Sequence, residues 1–364
     1  MNRLAGPTAL GIAALVVLAA GCGDDDVESA SPPAGSSDTA AASDEPESGE
    51  HVTLRLGYFP NVTHATALVG VEGGLLAESL GDNVTLETST FNAGGEAVQA
   101  LFTDAVDATY IGPNPAINGF AKSEGEALRI VSGATSGGAF LVVKPEITSP
   151  ADLADTTIAT PALGNTQDVA LRAWLRDKGL SADESGGGDV SIRPQENGAT
   201  LDSFKAGDID GAWVPEPWAT RLIQEGGGTV LVDERDLWPD GQYVTTHLIV
   251  STKFLDEHPD VVKRLLQGHV AATDFVNANP EESQRLVNDG IEAITQKRMN
   301  DEVLAGTWTN LTFTTDPIAS SLQKSADDAI AIGLLDDVDL TGIYALDLLN
   351  EVLAEAGQPT VTGL

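Results

Sequence analysis

Five histidines and a single cysteine are the residues of this 364-residue chain with the clearest potential for chemistry, and their spacing argues against most bond-breaking roles. The sequence contains no His-Glu-x-x-His, no paired histidines at helical spacing and no cysteine cluster, so no metal centre is expected. It also lacks a Gly-x-Ser-x-Gly elbow and a Gly-Lys-Ser/Thr phosphate loop. His51, His258 and His269 read as residues of the domain edge or of helix surfaces. His64 and His247 differ, because each follows or lies within a predicted strand that faces a cleft. A lone histidine is more often a satisfied structural imidazole than a ligand-binding one.

A recurring set of corners offers another chemistry. Small polar residues stand where predicted strands turn into helices: Pro60-Asn61-Val62-Thr63-His64, Asn92-Ala93-Gly94-Gly95, Gly112-Pro113-Asn114-Pro115 and Leu163-Gly164-Asn165-Thr166-Gln167. Each leaves backbone N–H groups free at a helix start, with amide or hydroxyl groups beside them. Plain helix capping accounts for any one corner. Four corners aimed at one cleft make a cage of neutral donors for a small anion. The run Gly133-Ala134-Thr135-Ser136-Gly137-Gly138 joins strand to strand and reads as a tight loop approaching a ligand.

The elements that must position these corners alternate. Val52–Tyr58, Val84–Thr90, Ala108–Ile111, Leu128–Val131 and Phe140–Val143 read as strands, separated by helices over 65–77, 96–102 and 113–122. A second series follows, with strands at 157–159, 190–192, 211–214 and 230–232 and helices at 166–178, 201–206 and 216–224. Tyr243–Ser251 is a long apolar strand that returns the chain to the first lobe, and residues 253–356 are expected to be almost wholly helical. The predicted fold class is α/β, a two-lobe clamshell with mostly parallel sheets, two interlobe crossings and a helical C-terminal part. Lobe 1 is expected over 51–142 and 250–364, and lobe 2 over 143–249. Ligands of such folds bind at the carboxyl ends of the strands.

Charge narrows the partners. The net charge is −36 with a pI near 4.1, which argues against nucleic acid or an anionic membrane surface as a partner, since both are held by Lys and Arg. One cysteine allows no intrachain disulfide. Residues 1–21 read as a signal peptide, with an apolar run from Ala9 to Ala20 that is short for a membrane span. Its end, Leu18-Ala19-Ala20-Gly21-Cys22, resembles the lipobox of bacterial lipoproteins, although Ala19 stands where that pattern usually has Leu. The resemblance implies acylation of Cys22 and anchoring at the membrane through lipid alone. Residues 22–50 hold nine acids, no Lys or Arg and no aromatic residue, and read as an acidic disordered tether.

Gly57-Tyr58-Phe59-Pro60-Asn61, Gly112-Pro113-Asn114-Pro115, Thr160-Pro161-Ala162-Leu163-Gly164-Asn165-Thr166-Gln167-Asp168 and Trp213-Val214-Pro215-Glu216-Pro217-Trp218 resemble, in that order, the substrate-binding proteins of sulfonate, taurine and nitrate ABC importers. The resemblance covers roughly residues 52–290 and implies a type II periplasmic-binding fold, hinge closure over a ligand, and delivery to a membrane permease with its ATPase. It places Asn61, His64, Asn114, Asn165, Thr166 and Gln167 on cleft corners and Trp213 and Glu216 in a Trp-x-x-Glu-Pro corner. Glu216 is expected either to contact a ligand ammonium such as taurine's or to brace that corner, with bracing favoured, and Trp213 either to touch ligand or to pack the lobe. Thr246 and His247 lie on the return crossing, and Gly137 and Gly138 in the glycine-rich loop.

No Lys or Arg falls in these corners, which favours an aliphatic sulfonate or taurine over nitrate or bicarbonate. The alternatives are a binding protein for nitrate, bicarbonate or a thiamine-pyrimidine precursor and, from another class, an enzyme like the thiamine-pyrimidine synthases. The expected state is a monomeric, extracytoplasmic binding protein with no cofactor.

Overall fold

The computed structural model describes residues 51–183 and 185–364; the expected signal, Cys22 and tether lie outside the described residues. Eleven strands form two sheets. The strands are β1 Val52–Tyr58, β2 Val84–Thr90, β3 Ala108–Ile111, β4 Leu128–Gly137, β5 Ala139–Val143, β6 Thr157–Thr160, β7 Ser191–Pro194, β8 Gly211–Pro215, β9 Thr229–Asp233, β10 Val244–Ser251 and β11 Leu311–Phe313. The first sheet runs β11-β4-β10-β3-β1-β2 and the second β7-β6-β8-β5-β9.

Strand alternation explains how each sheet is covered on both faces. In β10, Leu248 and Val250 join Leu54, Leu56, Leu265 and Leu266 on one face, while Ile249 joins Ile111, Ile130 and Leu322 on the other. In the second sheet, Leu141, Val143 and Trp213 pack on one side, and Phe140, Val142, Ala212 and Val214 on the other. A strand buried on both faces carries a near-continuous apolar run, as in β5, whereas β10 turns apolar only after His247.

Several expectations change. The sheets are mixed rather than mostly parallel: β1 pairs in parallel with β2 and β3, and β6 with β7 and β8, whereas β10 and β5 pair antiparallel with their neighbours. The reversed strands follow the two crossings between lobes, where the chain enters each sheet from the cleft edge. Because β5 pairs in the second sheet and β10 in the first, the crossings fall at Gly137-Gly138 and at Tyr243. Both lie a few residues before the expected boundaries at 142 and 249.

The expected glycine-rich loop is mostly strand: β4 continues to Gly137 and pairs with β10 and β11. Gly137 and Gly138 both adopt positive φ, at 79° and 74°, a conformation that lets the chain leave one sheet and enter the other within two residues. The C-terminal part is not wholly helical, since β11 adds an edge to the first sheet and residues 332–346 return to it without helix, with Tyr344 bridging Ile130. Among the described residues no helix is long and apolar enough to cross a membrane.

Candidate functional site

The carboxyl ends of the parallel strands in both sheets converge on one chamber between the lobes. After β1 come Asn61, Thr63 and His64; after β2, Asn92 and Gly94; after β3, Gly112 and Pro115. From the second lobe, Asn165, Thr166 and Gln167 follow β6, Asn197 follows β7 and Pro215 ends β8. The start of β10 supplies Thr245 and Thr246. The open space is about 40 Å³. A water needs about 10–15 Å³ on this measure, so the chamber takes roughly three water-sized groups.

Helices Gly94–Phe102, Pro113–Lys122, Thr166–Asp177 and Asn197–Ala206 begin at this chamber. Their unpaired N–H groups and positive dipole ends favour a negative charge. Their cap side chains are not spent on capping: Asn165 makes no capping bond, nor does Asn61 ahead of the 3-10 turn Val62–His64. Thr166 Oγ1 is buried and has no hydrogen-bond partner. The lobes approach closely here, because a Cβ on Gly112 would stand 2.6 Å from Thr166 Oγ1. No Lys, Arg, Asp or Glu lines the chamber among the described residues.

His64 is buried, its ring stacked on Phe59 at 4.7 Å. Its Nδ1 faces the Phe59 N–H at 3.4 Å, so Nε2 carries the ring proton. Burial pushes its pKa down to about 3, which makes the imidazole a neutral donor at physiological pH.

Other expected site residues fall elsewhere. Asn114 points away from the chamber one helical step from Pro115, and its Nδ2 donates to the Ser325 carbonyl at 3.0 Å. His247 alternates with Thr246 onto the opposite side of β10; its Nε2 meets the Pro317 carbonyl at 3.2 Å, and burial lowers its pKa to about 4. Trp213 packs the lobe core, edge-on to Trp174 with centroids 6.1 Å apart, and donates from Nε1 to Glu234 at 2.8 Å. Gly137 and Gly138 form the crossing rather than the chamber wall. His269, expected on a helix surface, is fully buried, with Nδ1 2.9 Å from Tyr110 OH and Nε2 2.9 Å from the Gly133 carbonyl.

Glu216 braces its corner. Its carboxylate accepts from the Thr220 N–H at 3.1 Å and Thr220 Oγ1 at 2.8 Å within lobe 2, and from Thr307 Oγ1 at 3.3 Å and Asn310 Nδ2 at 2.6 Å across the seam. Burial raises its pKa despite these donors. A second bond across the seam joins Trp218 Nε1 to Asn61 Oδ1 at 3.0 Å. The lobes are therefore held closed.

Sequence reasoning missed Asn197 and Trp218 as site residues. Asn197 follows a four-residue strand with mostly exposed residues, a weak pattern, although the Asn-Gly pair after it signals a corner. Trp218 stood in the quoted motif, but only the strand register shows that Trp213 points inward and Trp218 to the cleft.

The chain is similar to known proteins. The chain is similar to a binding protein of Brucella abortus (strain 2308), with 27% identity over 237 residues, 64% of this chain and 70% of that protein. It is similar to the taurine-binding periplasmic protein of Escherichia coli (strain K12), with 28% identity over 197 residues, 54% of this chain and 59% of that one. The alkanesulfonate-binding protein SsuA from Xanthomonas axonopodis pv. citri, solved bound to MOPS, superposes with a TM-score of 0.64 at 19% identity, covering 79% of this chain and 96% of that one. That likeness shows the fold, the type II periplasmic-binding clamshell. The NMT1-like family model matches residues 47–288, and the chain belongs to this family.

Proposed function

We propose that the protein is the extracytoplasmic solute-binding component of an ABC import system, capturing a small organic anion between its lobes and delivering it to a permease with its ATPase. An aliphatic sulfonate or taurine is the ligand class best suited to the chamber. The observation that carries this reading is the set of neutral donors and helix amino ends around a space of about 40 Å³ that is lined by no charged side chain among the described residues. Room for about three water-sized groups matches the three oxygens of a sulfonate head. Hydrogen bonds to a charged group contribute about 1.5–3 kcal/mol each, so a few converging amides hold an anion without a Lys or Arg.

The same inventory argues for binding rather than catalysis. A donor cage whose one imidazole is held neutral by burial offers no general acid–base pair. The curated relatives described above are binding proteins, one of them for taurine. Asn61, His64, Asn165, Thr166, Gln167 and Thr246 are the proposed ligand donors, joined by Asn92 and Asn197; the Thr245 hydroxyl is already spent on the Gly137 carbonyl.

A thermal-shift panel of sulfonates, taurine, nitrate, bicarbonate and thiamine-pyrimidine precursors tests the reading. A ligand at one hundred times its Kd stabilises by about 2.7 kcal/mol, a readily measured shift. A panel in which nitrate alone raises Tm would replace the sulfonate reading. We further propose that acylated Cys22 anchors the protein, with residues 22–50 as tether. Cys22→Ala is then expected to release the protein into the soluble extracytoplasmic fraction, and its retention with the membrane would remove the anchor.

A further inference from the structure

Thr166 lines the chamber and also a separate cavity of about 150 Å³ that the two lobes build together. Lobe 2 supplies Ala170, Ala173 and Trp174 from the helix Thr166–Asp177, with Glu234, Leu237 and Trp238 after β9. Lobe 1 supplies Asn114 and, from the helix Ala319–Ala331, Lys324, Ser325 and Asp328. Both indoles of the wall already carry an ammonium, Lys178 over Trp174 at 5.8 Å and Lys324 over Trp238 at 4.8 Å, so these rings are of the kind that holds cations.

Four charged side chains line this cavity: Asp177, Glu234, Lys324 and Asp328. Three are paired, Asp177 with Arg176 at 2.8 Å and Asp328 with Lys324. Glu234 is 1% exposed and forms no ion pair among the described residues. Its Oε2 accepts from Trp213 Nε1 at 2.8 Å, whereas Oε1 accepts nothing, and the Trp238 N–H beside it completes no hydrogen bond. Asn114 is buried as well; with Nδ2 given to the Ser325 carbonyl, its Oδ1 remains as an acceptor on the wall. A buried carboxylate without a cation is costly, and burial raises the Glu234 pKa to about 7.

We propose that this cavity is a second ligand site, separate from the chamber, for a small organic monocation: a primary ammonium that pairs with Glu234 and the Asn114 amide oxygen, on a short apolar body packed against Ala170, Ala173, Trp174 and Leu237. With Arg176 counted beside the four wall groups, one net negative charge remains, which a monocation balances. The cavity takes roughly ten water-sized groups, enough for a butyl or benzyl body. The site does not depend on which anion the chamber captures.

The full-length chain, purified in detergent, is titrated calorimetrically with butylammonium and benzylammonium, and with butanol and butyrate as neutral and anionic controls of similar size. The two ammonium ions are expected to bind at one site and the controls not to saturate. Glu234→Gln keeps an acceptor for Trp213 and removes the charge, and is expected to weaken butylammonium at least about tenfold. Lys324 is half-exposed, so Lys324→Met tests the site without disturbing the core; loss of its competing ammonium is expected to tighten butylammonium about threefold. In the chamber variant Asn165→Ala with Gln167→Ala, butylammonium affinity is expected to stay within about twofold of the unaltered protein. Absence of saturable ammonium binding, butanol binding as tightly as butylammonium, or no change in Glu234→Gln overturns the site. So does no gain in Lys324→Met, and loss of butylammonium binding in the chamber variant would move the cation into the chamber and overturn the second site.

Discussion

Glu216 and the chamber are polar junctions at the seam between the lobes, and they treat their hydrogen bonds in opposite ways. At Glu216 one buried carboxylate accepts four bonds, two from its own lobe and two from Thr307 and Asn310 of the other. In the chamber, Asn165 and Thr166 leave cap side chains unspent, and helix amino ends converge without an acceptor. The first junction carries its own anion and is complete. The second gathers donors with no Asp or Glu of its own among the described residues. Burying a donor without a partner costs about 1–3 kcal/mol, so the unspent donors mark where a ligand belongs and the satisfied carboxylate marks what holds the lobes.

Acidification probes this contrast most broadly. His64, His247 and His269 have folded pKa values lowered by burial to about 3, 4 and 4. The unfolded chain binds protons there near pH 6.5 and the folded one does not, so the stability these groups contribute is complete above pH 6.5 and is lost as pH falls toward 4. Each histidine costs about 2 kcal/mol at pH 5 relative to neutrality.

Buried Glu234 acts in the opposite sense. Its pKa is raised to about 7, so its contribution is present below about 4.5 and lost as pH rises through 7. It returns about 2 kcal/mol at pH 5, and Glu216 works in the same direction. The net expectation is a loss of about 4 kcal/mol between pH 7 and 5, read by urea unfolding. Only His64 lies in the chamber, so saturating anion should reduce the loss; equal losses with and without ligand would separate His64 from the site.

Glu216→Ala should cost about 3 kcal/mol in the same assay, because it strips four donors of their shared acceptor. The loss should come with a larger radius of gyration as the seam opens. An unchanged midpoint would show that Glu216 does not hold the lobes.

The double variant Asn165→Ala with Gln167→Ala should weaken sulfonate binding by about 2–3 kcal/mol, roughly 30- to 150-fold. The Tm of the unliganded protein should hardly move, since neither side chain caps its helix. Matching losses of Tm and affinity would place these residues with Glu216 rather than with the ligand. The smallest effect is expected from Trp218→Phe, which removes one neutral bond to Asn61 and should cost about 1 kcal/mol of closure, seen as weaker binding with unchanged unfolding.

Much of this was legible in the residues. β1, β2 and β3 and the helix Pro113–Lys122 have the bounds their patterns predict, because apolar alternation, corner glycines and a first-turn proline act locally. Glu216 could be read either as a ligand contact or as a brace, and its four hydrogen bonds are those of a brace. Direction was harder to read. Asn114 and Pro115 are neighbours in one helical turn, as Thr246 and His247 are in one strand, yet only one member of each pair faces the chamber.

The sequence by itself determined an α/β clamshell with neutral polar corners and a deep negative charge. Those properties depend on composition and on periodicities of two and 3.6 residues, which any short window carries. The tertiary structure alone decided which corners meet, that the crossings sit at Gly137-Gly138 and Tyr243, and that His269 is enclosed. It also decided that Asn61, Asn92 and Asn197 stand between a small chamber and a larger cavity. Each of these depends on strand order and register, and pairing such as β10 between β3 and β4 joins residues more than one hundred positions apart. A one-residue slip would turn Thr246 away and bring His247 into the chamber.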